Sequence, residues 1–307
     1  VAPDADALGS ALAVGMALEH RGVDVAVSFG DEPFVLPRSL RTLPGQHLLV
    51  PPKQVGDRQV VASFDASASE RLGVLEPVAR AAHRLIAVDH HTSYTAFGGI
   101  HLVDVKAPAT AVLALELVDR LAVDLDADIA TCIYSGLITD TGSFKFAATT
   151  SSTHLTAARL LGTGMRHDLI SRRIYDDEPF GALRLLGAAL DRAELDTSAV
   201  GGLGFVWTQV SQADRQAWGL PLDAVERVID VLRIATEAEV ACVLKQDDTG
   251  RWRVSMRSKG RVDVAGVALA LGGGGHRFAA GFTAPGGPSE ALDAVLSSLS
   301  TAAHHPE

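Results

Sequence analysis

Apolar positions in the first half of the chain follow a helical period in some segments and form short continuous runs in others. The runs are typical of buried strands, and their alternation with helical segments predicts a parallel sheet. The predicted elements of this half are a helix at 7–21, strands at 23–29, 59–64 and 84–88, and helices at 75–82, 109–122 and 129–137. We therefore expect an α/β fold, with helices on both faces of a parallel sheet.

Three further helical patterns lead from this region into a second one. They lie at 152–161, 167–174 and 180–192, and the sequence becomes polar behind the last of them. Strands and helices then alternate again, with strands at 202–208, 238–245 and 251–258, helices at 222–232, 263–271 and 289–299, and a glycine loop followed by one more strand. The pattern predicts two domains, 1–190 and 198–307, joined by a helical connector, and the second is a smaller α/β domain.

The composition is that of a globular protein. Of its 307 residues, 47% are hydrophobic and 21% are charged, and no apolar run reaches the roughly 18 residues that a membrane span needs. Cys132 and Cys242 stand in apolar sequence, which indicates buried thiols and favours a cytoplasmic location. The net charge of -10 opposes binding of long nucleic acid, so any nucleic-acid substrate should be short.

Carboxylates and histidines stand at the ends of several predicted apolar elements. Two groups of them follow strands, at the edge where parallel sheets collect their ligands. Each residue alone could be a helix cap or a turn residue, but the whole set offers ligands suited to Mn²⁺ or Mg²⁺. The residues are Asp4, Asp6, Asp65, Asp89, His90, His91 and Asp140. Their combination predicts metal-assisted hydrolysis of a phosphoester.

Four glycines precede a histidine and an arginine near the C-terminus. Glycine allows backbone N–H groups to approach an anion closely, and the two following side chains can add positive charge; a flexible turn is the structural alternative. On the strand before this segment, basic residues occupy alternate positions and therefore one face. The residues that we expect to bind phosphate are Arg257, Gly273, Gly274, Gly275, His276 and Arg277.

These motifs, in this order along nearly the whole chain, resemble those of the DHH/DHHA1 phosphoesterase family, and most closely its nanoRNase/pAp-phosphatase branch. The resemblance implies two Mn²⁺ ions, with Mg²⁺ or Co²⁺ as substitutes. It implies that Asp65 bridges the ions, that Asp6, His90 and Asp140 complete one site, and that Asp4 serves the other. It also implies that Asp65, His90 and His91 are catalytic, and that His91 supports the ligands or contacts the substrate.

The resemblance implies hydrolysis of short oligoribonucleotides and of 3′-phosphoadenosine 5′-phosphate (pAp) by a homodimer. Cyclic and linear di-AMP are further candidate substrates, because actinobacterial members of this branch also cleave dinucleotides. Two alternatives within the superfamily are an inorganic pyrophosphatase and a single-strand exonuclease. The glycine-histidine segment disfavours the first, and the acidic charge disfavours the second. A third alternative is a nucleotide sensor without catalysis.

The sequence departs from the family pattern at its start. The family motif begins with a histidine four residues before Asp4, which would precede Val1, and the strand ahead of that histidine is missing too. We expect that the sequence is truncated there. A weakened second metal site is the other explanation, and it would favour the sensor.

Overall fold

The computed structural model of the chain describes residues 3–301. They fall into two units, which divide between Asp177 and Glu178. The functional domain limits predicted above, 1–190 and 198–307, stay predictions. Among the helices of residues 3–301, none combines the length and the apolar character that crossing a membrane requires.

The first unit contains a three-stranded parallel sheet in the order β1-β2-β3. Its strands are β1 (Val60–Phe64), β2 (Arg84–Asp89) and β3 (Ile100–Val103). Its α-helices are α1 (Ala5–His20), α2 (Glu76–Ala81), α3 (Thr110–Arg120), α4 (Ala127–Asp140), α5 (Ser151–Leu161) and α6 (His167–Tyr175). Short 3₁₀ helices lie at Arg38–Leu40, Gln46–Leu48, Pro52–Gln54 and Ser69–Leu75.

The prediction of a strand at 23–29 is wrong. In this segment Val27 forms one isolated parallel bridge with Leu49, so the chain is extended there without a ladder. Val27 and Phe29 are buried in the core beside α1, and this packing explains why the segment is apolar. The pattern also missed β3, whose four residues are exposed or half-buried and give little apolar signal.

Helices α1 and α4 pack closely in the core of the first unit. A Cβ atom on Gly9 of α1 would lie 2.5 Å from the carbonyl oxygen of Cys132 of α4, so only glycine fits there. A Cβ atom on Gly136 would lie 2.6 Å from Asp6 Oδ1. These contacts place Asp6, near the start of α1, against the last turn of α4.

The second unit is built on a mixed sheet of six strands in the order β4-β5-β6-β7-β9-β8. The strands are β4 (Glu194–Asp196), β5 (Phe205–Val210), β6 (Val240–Gln246), β7 (Trp252–Ser258), β8 (Gly274–His276) and β9 (Ala279–Ala284). The helices are α7 (Phe180–Asp191), α8 (Ala199–Gly202), α9 (Gln212–Gln216), α10 (Glu226–Leu232), α11 (Val264–Ala270) and α12 (Pro288–Thr301), with a 3₁₀ helix at Leu222–Val225.

Strand β7 has the predicted alternation of its two faces. Val254 and Met256 are buried in a core with residues of α11 and α12, whereas Arg253 and Arg257 point to the opposite face.

One correction concerns the predicted glycine loop. Its last two glycines and the histidine form β8, because they pair with β9 in an antiparallel ladder.

Candidate functional site

Two candidate site residues stand at the carboxyl ends of β1 and β2. Asp65 directly follows β1, and its N–H donates to the carbonyl oxygen of Val88 at 2.9 Å, which ties this residue to β2. Its φ of 56° is in the left-handed region, which is uncommon for a residue with a side chain. Asp89 is the last residue of β2 and leads directly into the histidine pair.

His90 points one ring nitrogen at the backbone and the other at three carboxylates. Its Nδ1 lies 3.0 Å from the carbonyl oxygen of Ala107, which can only accept, so Nδ1 carries the proton of that hydrogen bond. Its Nε2 lies 3.1 Å from Asp140 Oδ2, 3.5 Å from Asp65 Oδ1 and 3.9 Å from Asp6 Oδ2. Histidines that bind metals commonly have their second nitrogen fixed in this way.

The carboxylate of Asp6 is fully buried at the N-terminus of α3. Its oxygens accept the N–H groups of Thr110 at 2.7 Å and Ala111 at 2.8 Å. The residue at the N-cap of α3 is Ala109, which has no side-chain acceptor, so Asp6 satisfies these helical N–H groups from α1. The hydroxyl of the same Thr110 donates to Asp65 Oδ1 at 2.9 Å.

Asp89 orients the histidine pair. Its Oδ1 accepts the N–H groups of His90 at 2.7 Å and His91 at 3.2 Å, and it lies 2.7 Å from His91 Nδ1. Its other oxygen, Oδ2, is buried and has no hydrogen-bond partner within residues 3–301. The sequence predicted Asp89 as a candidate metal ligand but not its contacts with the two histidines that follow it.

The crowded carboxylates shift one another's pKa values. Burial, followed by repulsion from Asp4, raises the pKa of Asp65 to about 7. Burial and the charge of Asp140 raise the pKa of Asp6 well above its usual value. Burial favours neutral His90, but its hydrogen bond to Asp140 outweighs this effect and raises the pKa of His90 to about 9. Such a surplus of buried negative charge favours a bound cation.

The donor atoms of this cluster fit a divalent cation. Asp6, Asp65 and His90 each offer one ligand atom within 4.8 Å of the others, and Asp65, Asp89 and His91 form a second such group. Asp65 belongs to both groups, as a bridging ligand would. Carboxylate oxygens with one imidazole suit Mn²⁺ or Mg²⁺, and the buried Oδ2 of Asp89 would gain a partner.

The two remaining predicted ligands, Asp140 and Asp4, differ from each other in their surroundings. Asp140 is the last residue of α4, and its Oδ2 lies 3.1 Å from His90 Nε2. Asp4 is the exposed N-cap of α1, where its Oδ1 accepts the N–H groups of Asp6 at 3.0 Å and Ala7 at 2.9 Å. Asp4 therefore acts as a helix cap here, and its charge also acts on Asp65. The ligand roles of these residues stay predictions.

The predicted phosphate-binding residues of the second unit meet on three neighbouring strands. Arg257 of β7 and His276 of β8 both pair with Ala279 of β9, so their side chains share one face of the sheet, about 10 Å apart. β8 follows β9 at the end of the strand order, and an edge strand has N–H groups that can bind a ligand. The guanidinium of Arg277 lies 5.2 Å from the centre of the Phe278 ring.

The glycines of this segment have a structural explanation that the sequence did not reveal. A Cβ atom on Gly273 would lie 2.2 Å from the carbonyl oxygen of Gly281, and one on Gly275 would lie 2.5 Å from that of Ala279. Both positions therefore require glycine for close packing against β9. Gly274 faces open space, and it is the glycine of the three that an anion could approach.

Comparison with known proteins identifies the family. Residues 1–137 match the DHH family, N-terminal domain, and residues 209–304 match the DHHA1 domain. A Thermus thermophilus protein named bifunctional oligoribonuclease and PAP phosphatase NrnA is 35% identical over 288 residues, which cover 93% of this chain and 82% of that protein. The chain belongs to the DHH/DHHA1 phosphoesterase family. The resemblance seen in the sequence is thereby confirmed.

Two further proteins are similar to this chain. A Streptococcus mutans protein named probable bifunctional oligoribonuclease and PAP phosphatase NrnA is 26% identical, over 64% of this chain and 61% of that protein. The crystal structure of an exopolyphosphatase-related protein from Bacteroides fragilis has a TM-score of 0.86 at 24% identity, over 97% of this chain and 89% of that one. This likeness confirms the predicted α/β fold class.

Proposed function

We propose that the chain is a divalent-metal-dependent phosphohydrolase that degrades short oligoribonucleotides and removes the 3′-phosphate of pAp. The observation that carries this proposal is the position of Asp65, which belongs to two overlapping groups of candidate metal ligands, one with Asp6 and one with Asp89. The substrate classes come from the names of the Thermus and Streptococcus relatives. The net charge of -10 supports short substrates over long nucleic acid.

In this proposal the chain would hold two Mn²⁺ ions, and Asp65 would belong to the ligand set of each. Asp6, His90 and Asp140 would hold one ion, and Asp4 and Asp89 would contribute to the other. When bound, paired ions of this kind activate water and stabilise the leaving oxygen of a phosphoester. The carboxylates of Asp6 and Asp65 are held in place before the ions bind, because backbone N–H groups and the Thr110 hydroxyl donate hydrogen bonds to their oxygens.

His91 is the residue of the first unit that we assign to the substrate. Its Nδ1 lies 2.7 Å from Asp89 Oδ1, and this contact fixes the orientation of the imidazole ring. Burial lowers the pKa of His91, but the hydrogen bond to Asp89 outweighs this effect and raises it, which favours an imidazolium. In this proposal the imidazolium donates its proton to a substrate oxygen.

The second unit supplies the groups that bind the nucleotide phosphate. Arg257 and His276 share one face of its sheet, and Gly274 leaves the backbone of β8 open to an anion. Arg277 adds a positive charge beside them. A guanidinium and backbone N–H groups together are well suited to phosphate oxygens.

The test is an activity assay with the full-length gene product, freed of metal by a chelator and then supplied with Mn²⁺, Mg²⁺ or Co²⁺. We expect Mn²⁺-dependent release of mononucleotides from a two-residue RNA and of phosphate from pAp. Cyclic di-AMP and linear di-AMP are tested beside them, because cleavage of either would extend the substrate range. Asp65→Asn should lower kcat at least about 100-fold, since it removes the shared ligand charge.

Other outcomes of this assay would replace the proposal. Asp124→Asn is the matched control, because Asp124 is an exposed carboxylate of the same unit, and this variant should retain activity. Turnover of pyrophosphate alone would indicate a pyrophosphatase, and stepwise degradation of long RNA would indicate an exonuclease. Nucleotide binding without turnover under every metal would indicate a sensor.

A further inference from the structure

We propose that Thr110 is a positioning residue that fixes two candidate metal ligands at once. Its backbone N–H donates to Asp6 Oδ2 at 2.7 Å, and its hydroxyl donates to Asp65 Oδ1 at 2.9 Å. The residue is fully buried. Asp6 and Asp65 come from α1 and from the end of β1, so one residue of α3 holds carboxylates from two separate elements. This inference rests on the proposed function.

The hydroxyl of Thr110 makes a contact that is unusual for a helical threonine. Threonine in a helix commonly donates to a backbone carbonyl one turn earlier. In α4, Thr131 donates to the carbonyl oxygen of Ala127, and Thr139 donates to that of Ser135. Thr110 is the first residue of α3 and has no helical turn before it. Its hydroxyl is therefore available to Asp65, which lies 45 residues earlier in the chain.

Asp65 needs such a partner because several groups compete for the same oxygen. Asp65 Oδ1 lies 3.5 Å from His90 Nε2 and 3.5 Å from His91 Nδ1, so these contacts alone would let the carboxylate rotate between them. A donor at 2.9 Å, held by a helix, selects one orientation. Hydrogen bonds from outer partners orient metal-binding carboxylates in many proteins, and their loss typically weakens metal affinity about 10- to 100-fold.

The test compares three substitutions in the full-length protein by calorimetric titration of the metal-free form with Mn²⁺. Thr110→Val keeps the side-chain shape and the N–H group but removes the hydroxyl, so Mn²⁺ should bind about 10- to 100-fold more weakly. Thr110→Ser restores the hydroxyl and should return affinity to within a few-fold of wild type. Thr131→Val is the matched control, because it removes a hydroxyl of α4 that touches no carboxylate, and it should bind as wild type does.

The titrations separate failure of this inference from failure of the proposed function. Wild-type-like binding by Thr110→Val would overturn the role of Thr110 while the metal site stands. Binding by Thr110→Ser as weak as that of Thr110→Val would assign the effect to packing and would also overturn it. Wild type that binds no divalent ion would overturn the proposed function and, with it, this inference. Thr110→Ala serves as the hydroxyl-free variant if Thr110→Val does not fold by circular dichroism.

Discussion

Three consecutive residues behind Asp140 have a left-handed backbone. Their φ angles are 55° at Gly142, 58° at Ser143 and 64° at Phe144. Glycine adopts this region freely, but a residue with a Cβ atom pays about 1–2 kcal/mol. The turn is held by the N–H of Ser143, which donates to the carbonyl oxygen of Ile138 at 2.7 Å. Strained backbone beside candidate ligands recurs at Asp65, and such strain is common at functional sites.

The strain at Ser143 predicts a stabilising substitution. Ser143→Gly should raise the free energy of unfolding by about 1 kcal/mol, because glycine adopts a positive φ without the Cβ clash. Urea denaturation followed by circular dichroism measures this change. Ser143→Ala keeps the Cβ atom and is the matched control, so it should leave the stability near that of wild type. A Ser143→Gly variant less stable than Ser143→Ala would show that the backbone carries no strain at this position.

At the scale of single residues, the sequence could predict the members of the candidate site better than their contacts. Asp65 and His90 could be predicted as candidates because they follow predicted parallel strands, whose carboxyl ends meet at one edge. Thr110 was missed because a threonine at the start of an apolar helix carries no signal by itself. Thr110 contacts Asp6, which lies 104 positions earlier in the chain, and Asp65, which lies 45 positions earlier. A local sequence pattern carries no information about contacts over such separations.

At the scale of elements, the crossing of α1 and α4 decides where the candidate ligands lie. Asp6 is near the first turn of α1 and Asp140 is the last residue of α4, so the distance between the two helices sets the distance between these carboxylates. The close approach depends on Gly9, whose missing side chain makes room for the backbone of α4. Backbone atoms cannot move aside as the end of a flexible side chain can.

A methyl group at this crossing should therefore be costly. Gly9→Ala would place Cβ 2.5 Å from the carbonyl oxygen of Cys132 and should lower the free energy of unfolding by about 1–3 kcal/mol. Gly15→Ala, in the same helix, meets only side-chain ends at 3.1 Å or more, and the better helix propensity of alanine should offset that contact. Thermal unfolding by circular dichroism compares the two. Equal melting temperatures would contradict this account of the crossing.

The same scale shows which elements a pattern can predict. Long amphipathic helices such as α3 and α7 were predicted within two residues of their observed bounds, because packing and periodicity agree there. The segment at 23–29 has the apolar pattern of a strand but forms only one bridge. The pattern reports burial against the neighbouring helix, whereas a ladder of hydrogen bonds also requires a partner strand. Strand β8 consists of two glycines and a histidine, and it exists only because β9 lies beside it.

At the scale of the whole molecule, the two units can be followed by separate spectroscopic signals. The chain has three tryptophans, Trp207, Trp218 and Trp252, and all of them lie in residues 178–307. Tryptophan fluorescence therefore reports unfolding of the second unit alone. Trp252 begins β7 directly behind the turn that contains Asp247, a carboxylate whose side chain is only 4% exposed.

Asp247 should make the stability of the second unit depend on pH. Burial opposes its charge, but hydrogen bonds from Thr249, from the N–H of Arg251 and from Arg253 outweigh this effect and lower its pKa from 3.8 to about 2. Because the unfolded chain binds this proton more readily, the stabilisation is complete above about pH 4 and is lost as the pH falls through about 2. It amounts to about 2 kcal/mol.

Asp247→Asn tests this pH dependence in urea titrations followed by tryptophan fluorescence. At pH 5 the free energy of unfolding of the variant should be about 2 kcal/mol lower than that of wild type, and at pH 3 this difference should be about half as large. Asp293→Asn removes an exposed carboxylate of α12 and should show no such difference at either pH. A deficit of Asp247→Asn that stays constant between the two pH values would mean that the charge of Asp247 does not stabilise the turn, and that the substitution acts through packing.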